Sequence, residues 1–167
     1  MKALLITVLA ALIASVSSAA IAQQKPIKKK QLVGSWMLVS LDLVVDGKKS
    51  QPFGSPPKGY MNLDRNGSYS ILLFRPGMPK FVANNRMKGT DAEYKAVGQN
   101  SQSYFGTYKV NEKEGVVDLH VEQSTYPNHD GSDQKRIILK LTGDELRYGN
   151  PATPTGGTAE VVWKRIK

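Results

Sequence analysis

Cysteine is absent from the 167 residues. No disulfide can form, and the lipid attachment of a bacterial lipoprotein is excluded, so a fold in an oxidising compartment must rest on its core alone. Histidine is scarce: only His120 and His129 occur. A metal site would need both of them plus Glu122, placed on a strand and a loop, so no metal or other cofactor is expected. No serine sits in a Gly-x-Ser-x-Gly setting, which removes the nucleophile elbow. Zinc-finger spacing, a phosphate-cradling glycine loop and RNA-binding aromatic motifs are also lacking.

What is present begins with a targeting pattern. Met1-Lys2 precedes an apolar run from Ala3 to Ala14, then small residues ending Ala20-Ile21-Ala22-Gln23. This is the form of a secretory signal with an Ala-x-Ala cleavage site, and the run is shorter than the roughly 20 residues that span a membrane. Residues 1–22 are therefore expected to be a cleaved signal peptide of a periplasmic or secreted protein, with no membrane insertion afterwards. The 145 residues that remain suffice for one domain.

The net charge of +9 invites a nucleic-acid reading, but five of the 23 basic residues precede Gln31. The other 18 face 14 acidic residues, a mild excess. A flexible basic leader over residues 23–30 before a mildly basic domain accounts for the charge, and no nucleic-acid partner is expected.

From Leu32 to Val45 a loosely alternating, Leu- and Val-rich stretch predicts a long strand ending at Asp46-Gly47. The Pro- and Gly-rich segment Pro52 to Gly59 predicts a rim loop. Two apolar runs flank Asp64-Arg65-Asn66-Gly67, a strong hairpin signal. Pro76 to Gly89 reads as a long loop over one mouth, and Thr90 with Glu93 forms a capping box for one short helix. Strands follow over Ser103 to Val110, Val116 to Gln123, Gln134 to Leu141, Leu146 to Tyr148 and Ala159 to Ile166. About eight strands joined mostly by short turns predict an all-β fold, an antiparallel up-and-down barrel or a sandwich.

A specific likeness covers nearly the whole domain, residues 31–167. Leu32-Val33-Gly34-Ser35-Trp36, Pro52-Phe53-Gly54, Pro57-Lys58-Gly59-Tyr60, Phe74-Arg75-Pro76 with Pro79-Lys80-Phe81, Tyr104-Phe105-Gly106-Thr107-Tyr108, His120-Val121-Glu122, Pro127-Asn128, Gln134 with Arg136, and Val162-Trp163-Lys164-Arg165 occur in order. Together they resemble the signature blocks of the bacterial lipocalin-like domain family. The resemblance implies a lipocalin-like β-barrel of about eight strands with a central cavity, and Arg165 covering Trp36 beside Gly34 at the closed end. The sequence departs from the family pattern at Leu119, where a histidine is frequent, and at His129, where a tryptophan is usual.

Candidate site residues follow. On the strand from Val116, alternation alone buries Val117, Leu119 and Val121 and leaves His120 and Glu122 in solvent. The resemblance to the His-Val-Glu block instead points His120 and Glu122 into the cavity. Gln134, Arg136 and Ile138 share one face of the next strand, so Glu122 and Arg136 would pair if both point inward. Arg75 is a candidate for a ligand carboxylate or a rim residue in water. Tyr104 and Tyr108 share a face and offer rings and hydroxyls, and Asn128 is a turn former or a pocket amide.

Three functions compete on these residues. The first is an exported barrel that carries or sequesters a small, largely apolar, anionic or amphipathic ligand. The second is a cofactor-free isomerase, cyclase or hydratase using His120 as acid or base beside Glu122. The third is a structural barrel filled by its own side chains.

Overall fold

The structure is a computed structural model and describes residues 26–167. The expected signal segment lies outside the described residues. A nine-stranded antiparallel sheet closes on itself: β1 (Gly34–Val45) pairs with β3 (Lys58–Leu63) on one side and with β9 (Thr158–Arg165) on the other. Between them run β4 (Ser68–Phe74), β5 (Ser101–Asn111), β6 (Val116–Ser124), β7 (Asp133–Leu141) and β8 (Glu145–Asn150), each paired with its sequence neighbours. The short β2 (Lys48–Ser50) hangs from the far end of β1 outside the eight-stranded barrel. Closure leaves the barrel without free edges, the alternative to a sandwich that the sequence left open.

The two ends differ in their connections. Hairpin turns join β3 to β4, β5 to β6 and β7 to β8 at one end, where the termini of β1 and β9 also meet. At the other end lie the four longer links: residues 46–57, 75–100, 125–132 and 151–157. Residues 75–100 include the ten-residue helix α2 (Asp91–Asn100), which starts on the expected capping box: Thr90 Oγ1 accepts from the Glu93 amide and Glu93 Oε2 from the Thr90 amide. The short ends pack shut and the long ends stand apart.

The shut end is closed by a helical turn that the sequence reading gave to a flexible leader. Residues Lys29–Leu32 form α1. Ile27 is buried, its amide donates to the Glu112 carbonyl, and Glu112 accepts from the Lys29 amide at 2.8 Å and pairs with Lys28 Nζ at 2.9 Å. Those contacts, the Lys29 amide first, hold the Glu112 carboxyl below the usual range. The correction has a plain cause: Ile27 and Leu32 are apolar anchors flanking the lysines, and a fully buried leucine such as Leu32 is worth roughly 1.5–3 kcal/mol.

Three bulges set which side chains face in. Opposite β9, Leu38 pairs with Trp163 and Ser40 with Val162, so Val39 is an extra residue. The inward set of β1 thereby changes from Trp36 and Leu38 to Leu41 and Leu43. That phase change is why the stretch alternates only loosely in sequence. Leu139 plays the same part in β7, and both extra residues are exposed apolar side chains. In β6 the extra residue is Glu122, and the chain there runs so close to Gly106 that a Cβ would collide with the His120 carbonyl oxygen.

At the shut end Trp36 is fully buried and donates from Nε1 to the Leu32 carbonyl at 2.9 Å. Arg165 lies over its ring, 4.0 Å from Cζ to the centroid, and donates to the carbonyls of Gly143, Val33 and Gln31. Gly34 has φ +131°, and a Cβ there would meet Arg165 Nη1 at 2.7 Å. The glycine therefore makes room for the guanidinium. Tyr108 belongs to this end too: its hydroxyl donates to the Asp64 carbonyl at 2.7 Å and Lys29 Nζ sits over its ring.

Candidate functional site

A cavity of about 580 Å³ opens at the end with the long links. Below it the barrel is filled: among Leu32, Met61, Leu63, Ile71 and Val117 only about 10 Å³ remains, at most the space of a single water. Arg136 lines both spaces and forms the floor between them. Apolar walls come from the inward faces of the strands, Leu41 and Leu43 on β1, Leu73 on β4, Ala159 and Val161 on β9. The links add Phe53, Gln99, Tyr126, Asn128, His129 and Pro154 at the rim.

Arg136 is 5% exposed and engaged on three sides. Nη1 donates to the Lys135 carbonyl at 2.9 Å, and Nη2 donates to Gln134 Oε1 at 2.6 Å and to the Tyr104 hydroxyl at 3.2 Å. Its Cζ lies 5.7 Å from the centre of the Tyr148 ring. Burial works against its charge, but the phenol groups of Tyr104 and Tyr148 outweigh burial and hold it above the ordinary arginine value. Burial, reinforced by Tyr104, also pushes the Tyr148 hydroxyl up to about 12, so that phenol stays neutral at physiological pH. Among the described residues no carboxylate forms an ion pair with Arg136, and its Nε has no hydrogen-bond partner.

His129 borders the same space. Its ring meets Tyr126 and Tyr104 edge-on, and Nδ1 lies 3.4 Å from Gln102 Nε2. Burial lowers its pKa, Arg136 lowers it further, and Asp130 opposes them. The imidazole is thus held toward its neutral form.

The structure gathers half of the sequence candidates and disperses the rest. Tyr104, Asn128, Gln134 and Arg136 line the cavity. His120 and Glu122 do not: both are exposed on the outer face of β6, where His120 Nδ1 contacts Asp133 Oδ1 at 2.8 Å. Strand alternation decides this, because Val117, Leu119 and Val121 take the inner face. The expected Glu122–Arg136 pair consequently does not form, and the barrel enzyme built on His120 and Glu122 loses both groups from the cavity. Arg75 is also corrected, to an exposed residue outside the cavity: it lies one residue past the end of β4, and its side chain runs beside Gly54 of the 46–57 link. Tyr108 is a strut of the shut end, four residues along β5 from Tyr104 on the same inward face and too deep to reach the opening.

The loop over residues 76–89 does not line the cavity. Glu93 ties it to α2 by accepting from the Val82 amide at 2.8 Å, and Phe81 packs edge-on to Tyr94. Sequence reasoning overlooked Tyr148, which alternation places with Leu146 and Asn150 on one face of β8. It marked His129 as a departure without giving it a role.

A barrel plugged at one end by a tryptophan under an arginine and open at the other onto a side-chain-lined cavity is the architecture of the lipocalin class. This chain belongs to the lipocalin-like domain family, which it matches over residues 33–166. It is similar to the 4'-hydroxy-3'-methoxypropiophenone carrier protein ppsC of Aspergillus oryzae, 27% identical over 107 residues that cover 58% of this chain and 96% of the relative. Similar solved structures include a lipocalin-like protein of Bacteroides uniformis, 14% identical, TM-score 0.46, covering 81% of this chain and 99% of that one. A biogenic amine-binding protein is 11% identical with TM-score 0.46, covering 86% and 69%.

Proposed function

We propose that this chain is an exported binding protein that carries or sequesters a small, largely apolar molecule in the open half of its barrel. The observation that carries the reading is the cavity of about 580 Å³ above a filled lower half. Its size lies within the range of small-molecule sites, and its make-up is theirs: apolar walls with a few fixed polar groups. A filled structural barrel would leave no such space. The relative named as a carrier of a methoxyphenolic ketone supports the same reading.

Two measurements test it. The neutral fluorophore N-phenyl-1-naphthylamine is expected to bind saturably, one per chain, and the signal to disappear when Ala159→Trp fills the cavity from β9. Absence of binding, or binding indifferent to that substitution, would overturn the carrier. For export, amino-terminal sequencing of the protein from its own host should find residue 23 first, in a periplasmic or culture fraction. Intact residues 1–22 on cytosolic protein would overturn that part.

A further inference from the structure

We propose that the cavity floor is an anion receptor and that the ligand is a small aryl-substituted acid, bound with its ionised oxygens toward Arg136, Tyr104 and Gln134. This rests on the reading of the cavity as a ligand site and names the class of molecule it takes.

The cavity is lined by one full cation, Arg136, and by no aspartate or glutamate. A buried guanidinium is most stable with a full negative charge beside it, and among the described residues no carboxylate pairs with this one: only the neutral phenols of Tyr104 and Tyr148 and the Gln134 amide oxygen meet it. The hydrogen bonds on the floor also have a direction. Gln134 Oε1 and the Tyr104 oxygen both serve as acceptors for Arg136. The Gln134 amide NH₂ and the Tyr104 O–H are left to donate. A floor rich in donors and carrying a positive charge is matched by a group that only accepts, and a carboxylate is the simplest such group.

The aryl part follows from the walls. Phe53, Tyr104, Tyr126, Tyr148 and His129 present rings to the cavity, and rings favour edge-to-face and offset contacts with one another. An amine of the same shape is disfavoured, because its ammonium would meet Arg136 and find no carboxylate.

Displacement of N-phenyl-1-naphthylamine by three probes with a common phenylpropyl skeleton tests the inference: 3-phenylpropionate, its isostere 3-phenylpropionamide, and 3-phenylpropylamine, at neutral pH. The acid is expected to displace the fluorophore at a concentration at least about tenfold below the amide, and the amine to be weaker than the amide. In Arg136→Met the preference for the acid should be lost, the ratio of amide to acid displacement concentrations falling toward one. Tyr104→Phe, which keeps the ring and removes the O–H, should weaken the acid more than the amide. Equal displacement by acid and amide in the native protein, or an acid preference that survives Arg136→Met, would overturn the anion receptor and leave the carrier standing. Failure of the fluorophore itself to bind would remove the carrier and the receptor together. The native three-probe comparison needs no variant, so a misfolded substitution does not protect the inference.

Discussion

Arg165 and Trp36 form one closure: the guanidinium carbon stands 4.0 Å from the ring centroid while its N–H groups donate to three backbone carbonyls. The indole supplies the floor of the barrel, and the arginine fastens the chain segments around it, the turn at Gly143 and the backbone at Gln31 and Val33. A cation over an indole contributes roughly 0.5–2 kcal/mol, and each charge-assisted hydrogen bond adds to it. Arg165→Ala is expected to cost about 2–4 kcal/mol in urea denaturation, with a change in tryptophan emission.

Gly34→Ala should cost about 1–3 kcal/mol, since it combines an unfavourable φ with a methyl 2.7 Å from Arg165 Nη1. The double variant with Arg165→Ala should cost less than the sum, because the clash is gone and only the backbone strain remains. Strict additivity would show that the glycine and the arginine do not share that space.

Arg136→Met should leave stability within about 1 kcal/mol of the native protein, or raise it. A buried charge with no carboxylate partner stabilises little, and an apolar side chain of similar length packs in its place. Gln134 and Tyr104, released by the change, still line the opening. A loss beyond about 3 kcal/mol would make Arg136 a structural keystone rather than a binding group.

His129 should give stability a pH slope. Its folded pKa lies below the ordinary value of 6.5, so as pH falls past that value the unfolded chain takes up the proton first. Its contribution is complete above pH 6.5 and is lost as pH falls through the folded pKa. His129→Gln should flatten that part of the stability curve. An acid bound near Arg136 would relieve the repulsion on the imidazole, and proton uptake on binding should appear as buffer-dependent calorimetric heats near pH 6. The charged groups concerned are Arg136 and Asp130, with Gln102, Tyr104 and Tyr126 as neutral neighbours.

His120→Gln and Glu122→Gln should leave fluorophore affinity unchanged. His120 has a side chain 49% exposed and its partner Asp133 is more open still, at 83%, and surface pairs of this kind are worth about 0–1 kcal/mol. Loss of binding in either variant would return them to the site.

The sequence alone determined the strands, the turns and the helix start. Alternation, Asn-Gly and the Thr90–Glu93 box are local signals, and local geometry obeys them. It also determined that Val117, Leu119 and Val121 are buried, and therefore that His120 and Glu122 are not; the family likeness pointed the other way, and the pleat prevailed. Tertiary structure alone decided the rest. Whether Arg136 or Ile137 faces inward depends on which side of the sheet closes on itself, and residues far apart in sequence make that choice. The phase of β1 depends on a bulge opposite β9, more than 100 residues away. The cavity exists because the four long links share one end, a consequence of an antiparallel circuit whose short turns all fall at the other.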